Sequence, residues 1–202
     1  MAPQGLDIPG PDDPVNVRVD RIAYDEDRHL SKYERSIALV KDVLNSAQFQ
    51  AAVLEGPASQ EWVVREDESE TAACSSGGRS SYSWNILGPE CLDNAAVLER
   101  IVEGDWTLSL QVETRWYDFW CGKPWIGEVG HREGDTIVTQ ECQLERMSDE
   151  ALAGHIIHEQ LHVIGFDHPY RRYPNRPNTV PYYVGSEAER ILRERLRTAT
   201  VR

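Results

Sequence analysis

His155-Ile156-Ile157-His158-Glu159-Gln160-Leu161-His162-Val163-Ile164-Gly165-Phe166-Asp167-His168 is the stretch from which the rest of the chain is read. On a helix, His158 and His162 stand one turn apart and share a face. Two imidazoles so placed can bind one metal ion, at Zn–N distances of about 2.0–2.1 Å. His168 would lie about 15 Å along the axis from His158 if the helix simply ran on. Gly165 removes that obstacle, because glycine takes the left-handed conformation that ends helices and turns the chain back. The spacing H-E-x-x-H-x-x-G-x-x-H thus predicts a helix, a glycine turn and a third ligand, with Zn2+ held by His158, His162 and His168. Chance alone places these five residues in a chain of this length about a few times in a hundred thousand, so the motif is specific. His155, three residues before His158, is read as a packed histidine supporting the site. A fourth protein ligand would fill the position that an open zinc site keeps for water or substrate.

Upstream, Ser148 or Asp149 caps the motif helix, with acidic residues in its first turn. Ala153, Ile157, Leu161 and Ile164 lie opposite the ligand face and anchor the helix in a core. Residues 135–140 form a compact β-branched strand, and 125–130 a short, glycine-flanked edge strand. Residues 107–119 alternate, with Leu108, Leu110 and Val112 on one face. A short helix over 93–102 takes Asp93 or Asn94 as its cap and Gly104 as its end. Residues 66–79 read as an irregular surface segment after a short strand at 61–65. Residues 31–54 read as one long helix with an apolar stripe of Ile37, Val40, Leu44, Phe49 and Val53. Val15, Val17 and Val19 alternate in a first strand over 15–24, and residues 1–14 form a flexible tail. Downstream, Ser186 and Glu189 make a capping box for a last helix over 186–197.

With 202 residues the chain is one domain with room for a proper core, and its formal charge of −13 argues against nucleic acid or an anionic membrane as partner. No apolar run approaches the length of a membrane span. Four cysteines, Cys74, Cys91, Cys121 and Cys142, form no C-x-x-C pair. Disulfides Cys74–Cys91 and Cys121–Cys142 are expected, because each would close a loop or hairpin segment. Such bonds imply an oxidising compartment, secreted or periplasmic, with any leader removed. Four reduced core cysteines and a cytoplasmic location are the alternative. Residues 1–14 lack the basic and apolar regions of a signal peptide.

The motif over residues 158–168 resembles that of the metzincin clan of zinc endopeptidases, and the order of elements over about residues 15–185 is similar. The resemblance implies an α+β fold, with a twisted mixed sheet packed on a long N-terminal helix and the zinc helix. Residues 15–165 would form an upper subdomain and 166–202 a small lower one with the final helix. It implies Glu159 as general base and an extended polypeptide substrate along the edge segment from Ile126 to Gly130, in a monomer. Metzincins also carry a methionine in a tight turn beneath the zinc, whereas both methionines here, Met1 and Met147, lie upstream. The segment Thr179-Val180-Pro181-Tyr182-Tyr183 is similar to that turn in placement. Pro181 then stands where methionine is expected, and Tyr183 rather than Tyr182 is the tyrosine that approaches the metal.

Zinc-dependent peptide hydrolysis is the expectation. Two alternatives stay open. Ribosome-maturation endoribonucleases share the ligand spacing and often end in G-[YF]-D-H, as Gly165–His168 does, but generally lack the glutamate, and RNA suits a −13 chain poorly. A non-catalytic zinc module is the other, although Glu159 has no use in one.

Overall fold

The alternation of Leu108, Leu110 and Val112 yields a strand, β4 (Thr107–Glu113), with those three side chains buried and the intervening ones half-buried. In the computed structural model, which describes residues 15–24, 27–56, 74–76, 79–81, 92–114, 130–166 and 179–200, β4 lies inside a four-stranded sheet. β1 (Arg18–Ala23) and β6 (Thr136–Gln140) run parallel to β4, and β5 (Gly130–Glu133) pairs antiparallel with β6 at one edge, giving the order β1-β4-β6-β5. The expected strand at 61–65, Cys91, Cys121 and His168 lie outside the described residues. The fold is α+β with a mixed sheet.

Several elements differ from their sequence reading. β1 carries a register shift between Val19 and Arg21, which breaks the expected alternation: Val15 and Val17 are buried ahead of the strand, while Val19 is 42 % exposed. The single helix expected over 31–54 is two, α1 (Asp27–Leu44) and α2 (Ala47–Leu54). The break falls at Asn45-Ser46, two residues whose side chains compete for backbone partners. Asn45 Nδ2 donates to the Val15 and Lys41 carbonyls, and Ser46 Oγ accepts from Phe49 N at 3.2 Å as the cap of α2. Within 66–79, read as irregular, Cys74–Ser76 (β2) pairs with Arg79–Ser81 (β3). An edge strand is seen over Gly130–Glu133, while residues 125–129 of the expected segment lie outside the described residues. It joins β6 through Gly134-Asp135, a two-residue hairpin loop whose Gly134 has φ 61°, as such a turn demands at its first central position.

Other readings hold. Asp93 caps α3 (Asn94–Glu103), accepting from Ala96 N at 2.8 Å. After a short helix α4 (Glu141–Arg146), Ser148 caps α5 (Asp149–Ile164), accepting from Ala151 N. Leu152, Ala153, Ile156, Ile157 and Leu161 of α5 join one core with β4, β6, α1, α3 and the last helix. Gln160 ties α5 to the α3–β4 connection by donating to the Asp105 carbonyl at 2.6 Å.

The last helix, α6 (Val180–Thr200), starts six residues before the predicted Ser186 cap. Pro181 falls in its first turn, where its missing N–H is no loss. Ser186 and Glu189 are therefore inside the helix and form no capping box. α5 and α6 cross where both carry glycine. A Cβ on Gly154 would sit 2.7 Å from the Gly185 carbonyl oxygen, and one on Gly185 would sit 2.8 Å from the Gly154 oxygen and 3.2 Å from His158 Cβ. Backbone meets backbone there, and neither can give way as a flexible side chain would. Gly185→Val is expected to lower the unfolding free energy by about 1–3 kcal/mol, the usual cost of overpacking. Urea denaturation measures it, and an unchanged midpoint would show that the crossing tolerates a side chain.

Candidate functional site

α5 ends as Gly165 was predicted to end it. Gly165 has φ 112°, its N–H bonds to the His162 and Leu161 carbonyls, and Phe166 N bonds to the Leu161 carbonyl at 2.9 Å. This is the Schellman arrangement, and it folds the chain back over the last turn of the helix. One result is chemical. The Phe166 carbonyl comes to 2.9 Å from His162 Nδ1. A carbonyl only accepts, so Nδ1 carries the proton and the lone pair sits on Nε2, the state a metal-ligating histidine needs.

His158 lies one turn back. Its ring centroid is 5.1 Å from that of His162 and the planes meet at 75°, so the two imidazoles share one side of α5. Between them in sequence, Glu159 is buried at 7 % exposure. Two imidazoles one turn apart, one with its Nδ1 bonded to a carbonyl, are donors of the type that zinc takes. His168, the predicted third ligand, is outside the described residues, so its approach to His158 and His162 is not on view.

His155 lies on the same side of α5 as His158, Glu159 and His162. Its Nδ1 is 3.8 Å from Glu159 Oε1 and its Nε2 is 3.3 Å from Thr139 Oγ1 on β6. Burial pushes its pKa down to about 4, which keeps the ring neutral between helix and sheet. Gly130, at the start of β5, leaves room for it: a Cβ there would stand 2.8 Å from His155 Nε2 and collide with the Val138 carbonyl. Below Thr139 lies Tyr33, whose hydroxyl burial raises to about 12 against the opposing bond to Thr139.

The tyrosine beside the ligands is Tyr182. Its ring meets His158 edge to face, with centroids 4.5 Å apart. Tyr183, favoured by the sequence reading, turns the other way and donates from its hydroxyl to the Ala52 carbonyl on α2 at 3.2 Å. The V-P-Y-Y segment is the first turn of α6 rather than a free turn, and helical periodicity sends adjacent residues to different sides. The roles of Thr139 and the Phe166 carbonyl went unread in the sequence, and Gly130 was read only as the end of the substrate-pairing edge. Gly130 carried a signal, as a glycine bordering a strand often marks close backbone approach; Thr139 carried none.

No family model, curated protein or solved structure matches the chain. Among the described residues no helix is long and apolar enough to cross a membrane. Cys142 at the start of α4 is disulfide-bonded, and the other half of the bond is not among the described side chains. Among the described residues, the group whose donor atoms lie close enough together to hold a metal is His29 with Glu141 and Glu145, between α1 and α4 and outside the histidine motif.

The depressed His155 pKa has a consequence with a definite sign. Unfolded, the ring takes a proton near pH 6.5; folded, only near 4. Between these values the unfolded state binds more protons, so stability is complete above about pH 6.5 and falls as the pH drops toward 4, by up to about 1.4 kcal/mol per unit. Urea denaturation of metal-free protein across this range should give a steeper pH dependence for wild type than for His155→Asn. Equal slopes would mean that His155 is protonated in the fold.

Proposed function

We propose that this protein is a zinc-dependent endopeptidase of the metzincin kind, with His158, His162 and His168 as the metal ligands and Glu159 as the general base. One observation carries most of the weight: the Phe166 carbonyl fixes the proton of His162 on Nδ1, so that Nε2 is the nitrogen with a lone pair. The bond also satisfies a buried N–H, as any packed histidine requires, and it falls on a residue that the motif singles out. The mixed sheet supports the reading too, since its edge strand β5 starts against His155, on the side of α5 that carries the other histidines.

A zinc ion in a three-imidazole set supplies Lewis acidity toward the scissile carbonyl and makes water acidic enough to lose a proton near neutral pH. Glu159 takes the proton from the attacking water and passes it to the leaving amine. Its burial and the neutral His155 behind it restrict where its carboxylate can turn. Tyr182, against the His158 ring, takes the part of oxyanion donor that the sequence reading gave to Tyr183. The substrate backbone would run extended along the edge marked by Gly130, since β5 is an edge strand of the described sheet. The disulfide at Cys142 supports a secreted or periplasmic location.

Zinc content and digestion of an unfolded protein are measured together on wild type and variants. Glu159→Gln is expected to keep its zinc and lose about 10²–10⁴-fold in kcat. Tyr182→Phe should lower kcat more than Tyr183→Phe. A Glu159→Gln protein that digests as well as wild type refutes the base assignment. Cleavage of structured RNA in place of protein would favour the endoribonuclease alternative.

A further inference from the structure

His29 lies in the first turn of α1 and is 2 % exposed, yet neither of its ring nitrogens makes a hydrogen bond. Its Nε2 points at two carboxylates of α4: Glu141 Oε1 at 3.4 Å and Glu145 Oε1 at 4.0 Å. Glu141 is oriented by Thr114, whose hydroxyl donates to Oε2 at 2.8 Å and leaves Oε1 for His29. The three donor atoms all lie within 4.8 Å of one another. We propose that His29, Glu141 and Glu145 form a second metal site, for a divalent transition ion of the zinc type, which pins the start of α1 to α4.

The chemistry of the ring favours a metal over a simple ion pair. A protonated His29 would have two N–H donors to satisfy in a buried place, and neither makes a hydrogen bond although Glu141 Oε1 lies 3.4 Å from Nε2. A neutral ring bound through Nε2 has only one. The 3.4 Å separation is also what two ligands of one tetrahedral ion show at bond lengths of about 2.0–2.1 Å. Glu145 is 43 % exposed and can close the remaining gap, so an ion has a way in from solvent. One imidazole with two carboxylates suits zinc, whereas calcium takes oxygen ligands alone. Two cations border the cluster. Arg28 contacts Glu145 at 2.7 Å and Glu141 at 3.7 Å, and at 59 % exposure it can swing away. Lys32 is engaged nearby, donating to the Met147 carbonyl at 2.5 Å and the Glu145 carbonyl at 3.4 Å. Because α4 leads from β6 directly into α5, an ion here would stiffen the connection behind the candidate active site without touching it.

This site is independent of the protease reading, and it is tested with the histidine motif disabled. The full chain carrying His158→Ala and His162→Ala is dialysed against buffered zinc, and the bound metal is counted. One zinc per chain is expected, with at least tenfold weaker binding once Glu141→Gln and Glu145→Gln are added. Both glutamates are partly exposed, so these variants avoid the buried His29, and circular dichroism checks their fold. Zinc should raise the Tm of the first protein and not the second, calcium should be retained by neither, and Arg28→Ala should tighten zinc binding severalfold. Absence of zinc from the His158→Ala/His162→Ala protein, equal retention after the glutamate changes, or equal retention of calcium would each overturn the proposal. Loss of zinc only on changing His158 and His162 would leave the protease reading standing alone.

Discussion

Two helix backbones touch at Gly154 and Gly185, and much of the candidate site hangs on that contact. Glycine lets α5 and α6 approach until each carbonyl oxygen occupies the space of the other's missing Cβ. The same approach brings Gly185 against His158 Cβ, so the position of α6 is set by the helix that bears the histidines. From there the first turn of α6 has little freedom. Tyr182 is delivered to the His158 ring, and Tyr183 to the Ala52 carbonyl of α2, with its hydroxyl's pKa raised first by burial and then by Glu187. Val184, Ala188, Ile191 and Leu192 continue the helix into the common core.

The polar side chains beneath the site are linked in a line: Glu159 beside His155, His155 on Thr139, Thr139 on Tyr33. A buried line of this kind is stable only if its members avoid unpaired charge. Burial keeps His155 neutral and Tyr33 protonated. The line also joins three elements, since Tyr33 is on α1, Thr139 on β6 and the other two on α5. A shift of any one element would be felt at the carboxylate. The Schellman turn does similar work at the other end of α5, where a backbone carbonyl, already ordered by the fold, orients a ring.

Elements ruled by local chemistry were legible. Ser148 and Asp93 cap their helices, Leu108, Leu110 and Val112 face the core, and Gly165 is left-handed, each for a reason contained within a few residues. Where two local signals compete, the reading failed. The apolar stripe of residues 31–54 is continuous, but Asn45 and Ser46 satisfy backbone groups that an unbroken helix would have used, and α1 ends there. Ser186 and Glu189 match a capping pattern, yet the buried Thr179, Val180 and Pro181 start α6 earlier because the core holds them.

The sequence by itself determined that His158, Glu159 and His162 share one helix, because helical spacing is a local property. It also marked Gly165 as the place for this helix to end, because glycine takes left-handed backbone without steric cost. Only the tertiary structure decided the tautomer of His162, the neutral state of His155, the choice of Tyr182 over Tyr183 and the meeting of His29 with Glu141 and Glu145. Each of these depends on contacts between elements distant in sequence or on how tightly a turn closes. Spacing along a chain does not report distances across it.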